Sequence, residues 1–409
     1  MSKHSNTPEL RFPEFDGEWE EKKLGDIADF TKGKLLGKKD LIDEGKYPCI
    51  LYGELYTKYG SIINDVVSRT NVNKDKLKKG SKNQILIPSS GETIEDIATA
   101  STLNTNKDVY IGGDLNILTP KEQDGKFISL SLNGINKWNM AKLAQGKTVV
   151  HLYNNDIKTL NINLPHKMQE QQKIGNFFSK LDHQIELEEK KLELLEQQKR
   201  GYMEKIFSQE LRFKDESGNN YHKWDNKKLN NIIHLQNGYA FQSNLFSDNG
   251  IPIIRITDIN KSLVSAGTAY YPEYINIDER FKINKNDILI AMSGATTGKI
   301  GKYISNTPSY LNQRIGKFVM KNGSDSNFIF AYLNSMNFKK ELTKLLVAGA
   351  QPNISSQDIE NISLAMPSSE EQKRIGAFYL HFNNFIEKQS AKVQVLKQRK
   401  QGLLQKMFV

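Results

Sequence analysis

Pro165-His166-Lys167-Met168-Gln169-Glu170-Gln171-Gln172-Lys173-Ile174-Gly175 opens a stretch that keeps a helical pattern as far as Phe207. Leu164-Pro165 closes what precedes it, because proline disfavours helix in the residue before it. The pattern occurs twice. Met366-Pro367, then Glu371-Gln372-Lys373-Arg374-Ile375-Gly376 and a second long helical stretch, reach Val409. A repeat of this size sets the architecture, so it has to be read first.

In the first stretch an apolar stripe runs through Ile174, Phe178, Leu181, Ile185, Glu188, Leu192, Leu195, Lys199, Tyr202 and Ile206. The steps alternate four and three, as in the seam of a coiled coil. The same rows of the second stretch are Ile375, Tyr379, Phe382, Ile386, Gln389, Val393, Leu396, Lys400, Leu403 and Met407, at a constant offset of 201. The polar breaks coincide, Glu188 with Gln389 and Lys199 with Lys400. The spacing predicts two helices paired antiparallel, with Glu188 facing Lys400 and Lys199 facing Gln389. A shift of one heptad would press Lys199 against Phe382 and bury an ammonium without a partner, which is costly. Polar seam residues often set register.

The globular parts repeat as well. Glu9-Leu10-Arg11-Phe12, Trp19 and Lys22-Lys23-Leu24 return as Glu210-Leu211-Arg212-Phe213, Trp224 and Lys227-Lys228-Leu229. Segment 208–226, rich in Gly, Asn and charge, is the natural joint. Each part has a Gly-containing polar stretch (Lys32-Gly33-Lys34; Asn237-Gly238-Tyr239) and a short apolar strand after proline (Pro48 to Tyr52; Pro252 to Ile256). A second strand follows (Gln84 to Ile87; Asp287 to Ile290), then a polar loop (Ser89 to Thr93; Ser293 to Lys299). A helix is expected from Phe127 to Leu143 and from Phe328 to Leu346, stopped by Gly146 and Gly349. Ser355 and Asp358 are spaced as an N-cap box. The expected division is 1–163, a long helix over 164–208, then 209–365 and a long helix over 366–409. The fold class is α+β, with two similar α/β domains separated by two long helices.

The 409 residues suit two or three domains. The net charge of +10 and mean hydropathy of -0.57 describe a polar, basic chain suited to a polyanionic partner. Cys49 is the sole cysteine, which excludes an intrachain disulfide and a cysteine-based zinc site. The start lacks the apolar core of a secretory signal, and no apolar run approaches a membrane span. A cytoplasmic location is the expectation.

Catalytic signatures are missing. Gly294-Ala295-Thr296-Thr297-Gly298-Lys299 resembles a phosphate-binding loop, but it is one residue short and Ile300 replaces the magnesium-binding Ser or Thr. A tight turn between strands is the plainer reading, with contact to a nucleic-acid phosphate the alternative. His151, His166 and His183 have no partners at ligand spacing, so no metal is expected. Nucleophile elbows, zinc-protease and dinucleotide motifs are absent, as is the Asn/Asp-Pro-Pro-aromatic tetrapeptide of adenine methyltransferases. The charged helix faces around Glu186 to Glu189 and Lys397 to Lys400 read as solvated surface or as a docking face.

Polar and aromatic loop residues suit groove reading, since Asn and Gln pair with adenine edges and Arg with guanine. The densest cluster is Asn312-Gln313-Arg314. Gln351, Asn353 and Ser355 form another, with Lys147 and His151 as rough equivalents in the first half. Tyr239, Phe241 and Gln242 form a third. Lys32, Lys34, Tyr52, Arg255, Thr257, Thr296 and Lys299 complete the candidates. Taken singly, ordinary surface is the plainer reading of each. The second half has Arg255, Thr257 and Asp258 where the first has Leu51, Gly53 and Glu54. The scaffold is duplicated and its exposed residues are not.

Two globular units alternating with two long helices, each opened by Pro and Glu-Gln-x-[Lys/Arg]-Ile-Gly, resemble the specificity subunit of a type I restriction–modification system. The motif stands at Pro165/Glu170/Gln171/Ile174 and again at Pro367/Glu371/Gln372/Ile375. Glu9-Leu10-Arg11-Phe12 and Trp19 look like staphylococcal-type members. Gly91 departs from the pattern, lacking the Thr-Gly-Lys that follows Gly294. The resemblance implies target recognition domains, each reading half of a bipartite, asymmetric DNA sequence. It implies helices that set their separation and dock two methyltransferase subunits. Those partners would use S-adenosylmethionine to methylate adenine, and a motor/endonuclease subunit would use ATP and Mg. This chain would be non-catalytic. The alternatives are a stand-alone architectural DNA-binding protein and an enzyme acting on nucleic acid.

Overall fold

A computed structural model describes residues 6–260, 262–321, 323–348 and 353–409. The chain divides into two compact units, one of Met1–Glu189 with Ala391–Val409, the other of Lys190–Ser390. The long helices are Met168–Phe207 and Ser369–Lys406, so each unit takes one half of each. Both are rich in Glu, Lys, Gln and Leu, good helix formers, and contain no proline. Acids occupy their first turns and a lysine their last, complementing the helix dipole.

In the first unit a five-stranded sheet runs Ala28–Lys32, Leu115–Pro120, Ile85–Pro88, Ser101–Leu103, Ile62–Ile63. A four-stranded sheet runs Arg69–Thr70, Tyr47–Ile50, Val109–Ile111, Lys78–Gly80. The second unit has a six-stranded sheet in which Ile288–Ala291 lies between Ile315–Met320 and Ile300–Tyr303, and a four-stranded one holding Ile251–Ile254 beside Ser309–Leu311. The parallel pair Ile50↔Ile111 in one unit matches Ile254↔Leu311 in the other. Each unit also pairs its opening and closing strands antiparallel, Glu20–Lys23 with Asn161–Leu164 and Asp225–Lys228 with Ser363–Met366.

The single helices expected over Phe127 to Leu143 and Phe328 to Leu346 are each two helices. They are Gly125–Asn133 and Lys137–Ala141, then Ser326–Leu333 and Met336–Ala348. Gly134 ends the first by turning its amide onto the Leu130 and Ser131 carbonyls. In the second unit Ser335 restarts the helix, its hydroxyl accepting the Phe338 amide at 3.3 Å. Gly349 lies outside the described residues.

Each unit's core closes on the far end of a long helix. Phe408 packs on Trp19, Phe127 and Phe178. Phe207 packs on Trp224, Phe328 and Tyr332. The motif at the near end is a clamp. Glu170, 1% exposed, takes both Arg11 Nε (2.7 Å) and a terminal Arg11 nitrogen (2.8 Å). This bond raises the Arg11 pKa further above its already high value. Glu371, fully buried, holds Arg212 in the same fork and also takes the Trp224 indole N–H at 2.8 Å. Gln171 accepts the Asp124 amide and donates to the Pro165 carbonyl. Gln372 does the same with Asp325 and Pro367. Asp124 and Asp325 in turn cap the helices of Phe127 and Phe328. The motif glycine leaves room for that cap: a Cβ on Gly376 would sit 2.5 Å from Asp325 Oδ1 and 2.8 Å from the Phe328 amide.

The helix halves pair antiparallel within each unit, but one heptad away from the expected register. Glu188 pairs with Lys392 rather than Lys400, and Lys400 pairs with Asp182. Lys199 stands opposite Asn383, which accepts a hydrogen bond from its ammonium, and its Nζ lies 4.3 Å over the Tyr379 ring. The cost that argued against this register is therefore met by an amide and a ring face. Burial still lowers the Lys199 pKa to about 8. Along the two seams Ile185, Gln389 and Val393 are buried, while Leu192, Leu195, Ile386 and Leu396 are half-buried.

Candidate nucleic-acid interface

Beyond the central strand of each unit, four loops meet through the same backbone bonds. In the first unit the Ser89 amide donates to the Asp114 carbonyl (2.9 Å), and the Ser89 carbonyl accepts the Leu152 amide (3.1 Å). In the second, Met292 does this with Arg314 (2.8 Å) and Ile354 (3.0 Å). The fourth loop joins by its glycine. Gly33 and Lys34 donate to Leu115 and Ile111, and Gly238 and Tyr239 to Ile315 and Leu311. A Cβ on Gly33 would lie 1.8 Å from the Gly112 oxygen, and one on Gly238 2.0 Å from the Asn312 oxygen. Only glycine permits this approach. Residues far apart in sequence thus share one rim per unit.

The side chains on the two rims differ. At the position of Arg314 the first unit carries Asp114, and both are exposed. Lys34, exposed, corresponds to Tyr239, which is half-buried against Phe241 and Phe281. In the same cluster, burial raises the pKa of Tyr271 and Tyr310. Lys32 Nζ stands 6.0 Å from the Tyr153 ring, which stacks on His151 at 6.1 Å. Lys147 lies on the exposed tip of a hairpin closed by Gln145 and His151. Gln313, Asn353 and Gln242 are exposed on the second unit's loops.

Several candidates serve their own loops. Ser355 caps the helix Ser356–Glu360, completing the expected box with Asp358. Asn312 accepts the Arg314 amide at 3.3 Å. Tyr52 packs on the cluster of Ile50, Leu86 and Ile111. Leu51 and Arg255 open equivalent turns, closed by Glu54 and Asp258 accepting their amides at 2.9 and 2.7 Å. Leu51 is buried, whereas exposed Arg255 reaches Thr268 at 2.8 Å, with Thr257 exposed beside it. Ile256 abuts Gly294, which brings this turn to the loop of Thr296 and Lys299. That loop is a tight turn between antiparallel strands Ile288–Ala291 and Ile300–Tyr303, with Gly294 and Gly298 both at φ +85°. Among the described residues Thr296 Oγ1 is buried without a hydrogen-bond partner, and Lys299 is exposed. Gln351 lies outside the described residues. The expected loop Ser89 to Thr93 contains a short strand, Ser90–Gly91, paired with Val150–His151.

Asp114 and Tyr153 were not legible as rim residues. Asp114 matches Arg314 only after a one-residue change of offset, and Tyr153 joins the rim through ring contacts alone. Among the described residues no group of His, Cys, Asp and Glu could hold a metal, and no helix is long and apolar enough to cross a membrane.

The family described as type I restriction modification DNA specificity domain matches residues 16–197 and 221–398. The specificity subunit of the type I restriction enzyme MjaVIII of Methanocaldococcus jannaschii is 28% identical over 414 residues, covering 96% of this chain and 92% of that protein. The S subunit of a type I restriction–modification system from M. genitalium superposes with a TM-score of 0.66 at 19% identity, over 98% of this chain and 99% of that one. A chain from a structure of a type I restriction–modification system, determined for its complex assembly and conformational transition, superposes at 0.54 and 16% identity over 95% and 97%. The two family matches, one on each half of a duplicated chain, establish that this protein belongs to the type I restriction–modification DNA specificity family, as a recognition and not a catalytic component.

Proposed function

We propose that the two rims read the two halves of a bipartite, asymmetric DNA target. The observation that carries this is the matched backbone frame with unmatched side chains: Asp114 against Arg314, Lys34 against Tyr239. Arg314 has the fork that pairs with guanine O6 and N7, and Asp114 can accept from the cytosine amino group. Each good pair contributes roughly 1–3 kcal/mol of discrimination. The net charge of +10 supplies affinity that falls with salt.

The long helices act as the spacer between the half-sites. A helix of 40 residues is roughly 60 Å long, and DNA advances 3.4 Å per base pair. Two adenine-N6 methyltransferase subunits dock on this chain and bring S-adenosylmethionine. Motor/endonuclease subunits bring ATP and Mg chemistry. This chain binds and positions, and carries out no bond-making step.

Co-purification with the products of neighbouring genes, followed by mapping of methylated adenines, tests the reading. A two-part motif is expected. Arg314→Ala should relax one base of one half-site, and Asp114→Ala one base of the other. A contiguous motif, or a motif unchanged in both variants, would overturn it.

A further inference from the structure

We propose that Leu35 is an apolar wedge that enters a base step of the half-site read by the first unit; the proposal rests on the DNA-reading function above. Exposed leucines are ordinary on protein surfaces. What distinguishes this one is its backbone. Leu35 and Leu36 have φ of 51° and 61°, the only consecutive non-glycine pair in the left-handed region among the described residues. Bulky side chains avoid that region, and residues enter it singly when they enter at all.

The surroundings hold the strained turn in place. The Gly113 amide donates to the Leu35 carbonyl at 2.6 Å, Lys34 is tied to Ile111, and Gly37 is tied to the Asp40 carboxylate at 2.8 Å. Strain that persists this way gathers at functional positions. The turn presents Leu35, 52% exposed, between the exposed lysines Lys32, Lys34, Lys38 and Lys39. The second unit uses the same frame differently. Its residue matching Leu35 is Ala240, exposed but without a large apolar side chain, and the next, Phe241, turns inward onto Tyr271 and Tyr310 at 4.9 and 5.6 Å. The outward apolar tip is therefore a property of the first rim and not of the fold.

An apolar side chain among cations suits a duplex whose phosphates bind the lysines while the leucine parts two base pairs. Pyrimidine–purine steps unstack most readily, so the first half-site should hold a TA or CA step there.

The test uses the full chain with the partners it co-purifies with, and duplexes of the mapped target carrying 2-aminopurine at single positions. The adenine to be methylated is left unlabelled, because its extrusion would raise the same signal. A rise in fluorescence is expected at one step of the first half-site. Leu35→Gly should abolish the rise and weaken binding roughly tenfold. The same variant should raise the Tm, because glycine adopts this φ without strain. Specific binding without a rise, or a rise that survives Leu35→Gly, overturns the wedge alone. No sequence-specific binding by the wild type overturns the DNA-reading function and the wedge with it.

Discussion

Where each long helix begins, the two halves are close copies; on their rims they are not. Arg11, Glu170, Gln171 and Asp124 repeat as Arg212, Glu371, Gln372 and Asp325, bond for bond. Each of these groups is buried or half-buried and satisfies another. A change in one leaves its partner unpaired in a dry site, which is expensive. Rim residues such as Asp114 and Arg314 face solvent, so packing leaves their identity free, and under the proposed function the DNA half-site sets it. The comparison separates what the fold needs from what recognition chooses.

The largest expected effect comes from breaking the clamp. Glu371→Ala should destabilise the second unit by about 3–5 kcal/mol, since it strands Arg212 together with the Trp224 indole. Glu170→Ala should cost less, because Glu170 does not hold the Trp19 indole N–H, which has no hydrogen-bond partner among the described residues. Calorimetry of the two variants would order them. Next is the motif glycine. Gly376→Ala forces a methyl group onto the Asp325 cap and should cost about 1–3 kcal/mol. Gly175→Ala should cost less, its Cβ meeting Asp124 Oδ1 and Lys126 Cβ at 2.9 Å. The caps follow: Asp325→Ala should lower stability by about 1 kcal/mol, with Phe328 amide exchange accelerated.

At the seam, matched lysines are solved differently. Burial puts Lys199 at about 8, below the ordinary lysine value. Between about 8 and about 10.5 the unfolded chain binds more protons, so stability should rise with pH across that window. Lys199→Met should remove that rise and stabilise the protein at pH 7. Lys400→Met instead removes an ion pair with Asp182 and should lower stability by roughly 0–1 kcal/mol. Tm measured against pH separates the two.

Much was legible from residue order alone. The duplication, the apolar seams, the short strands and the Ser355 box are local or periodic signals. The register misled because the partners of Lys199 are Asn383, off the counted stripe, and a ring face, which a tally of polar residues omits. The expected helix over Phe127 to Leu143 broke because Gly134 can satisfy its amide on two carbonyls of the preceding turn. The Glu-Gln motif announced each helix, but its work as a clamp depends on Arg11 and Arg212, each 159 residues away in the chain.

Residue order by itself determined that one design occurs twice and that its helices bury a heptad stripe, because periodic apolar spacing needs no distant partner to be recognised. Tertiary structure alone decided which turns of those helices meet, and which loop residues share a rim. Both depend on bonds such as Ser89 to Asp114 and Leu152, between segments whose approach is set by the packed core and not by their own spacing.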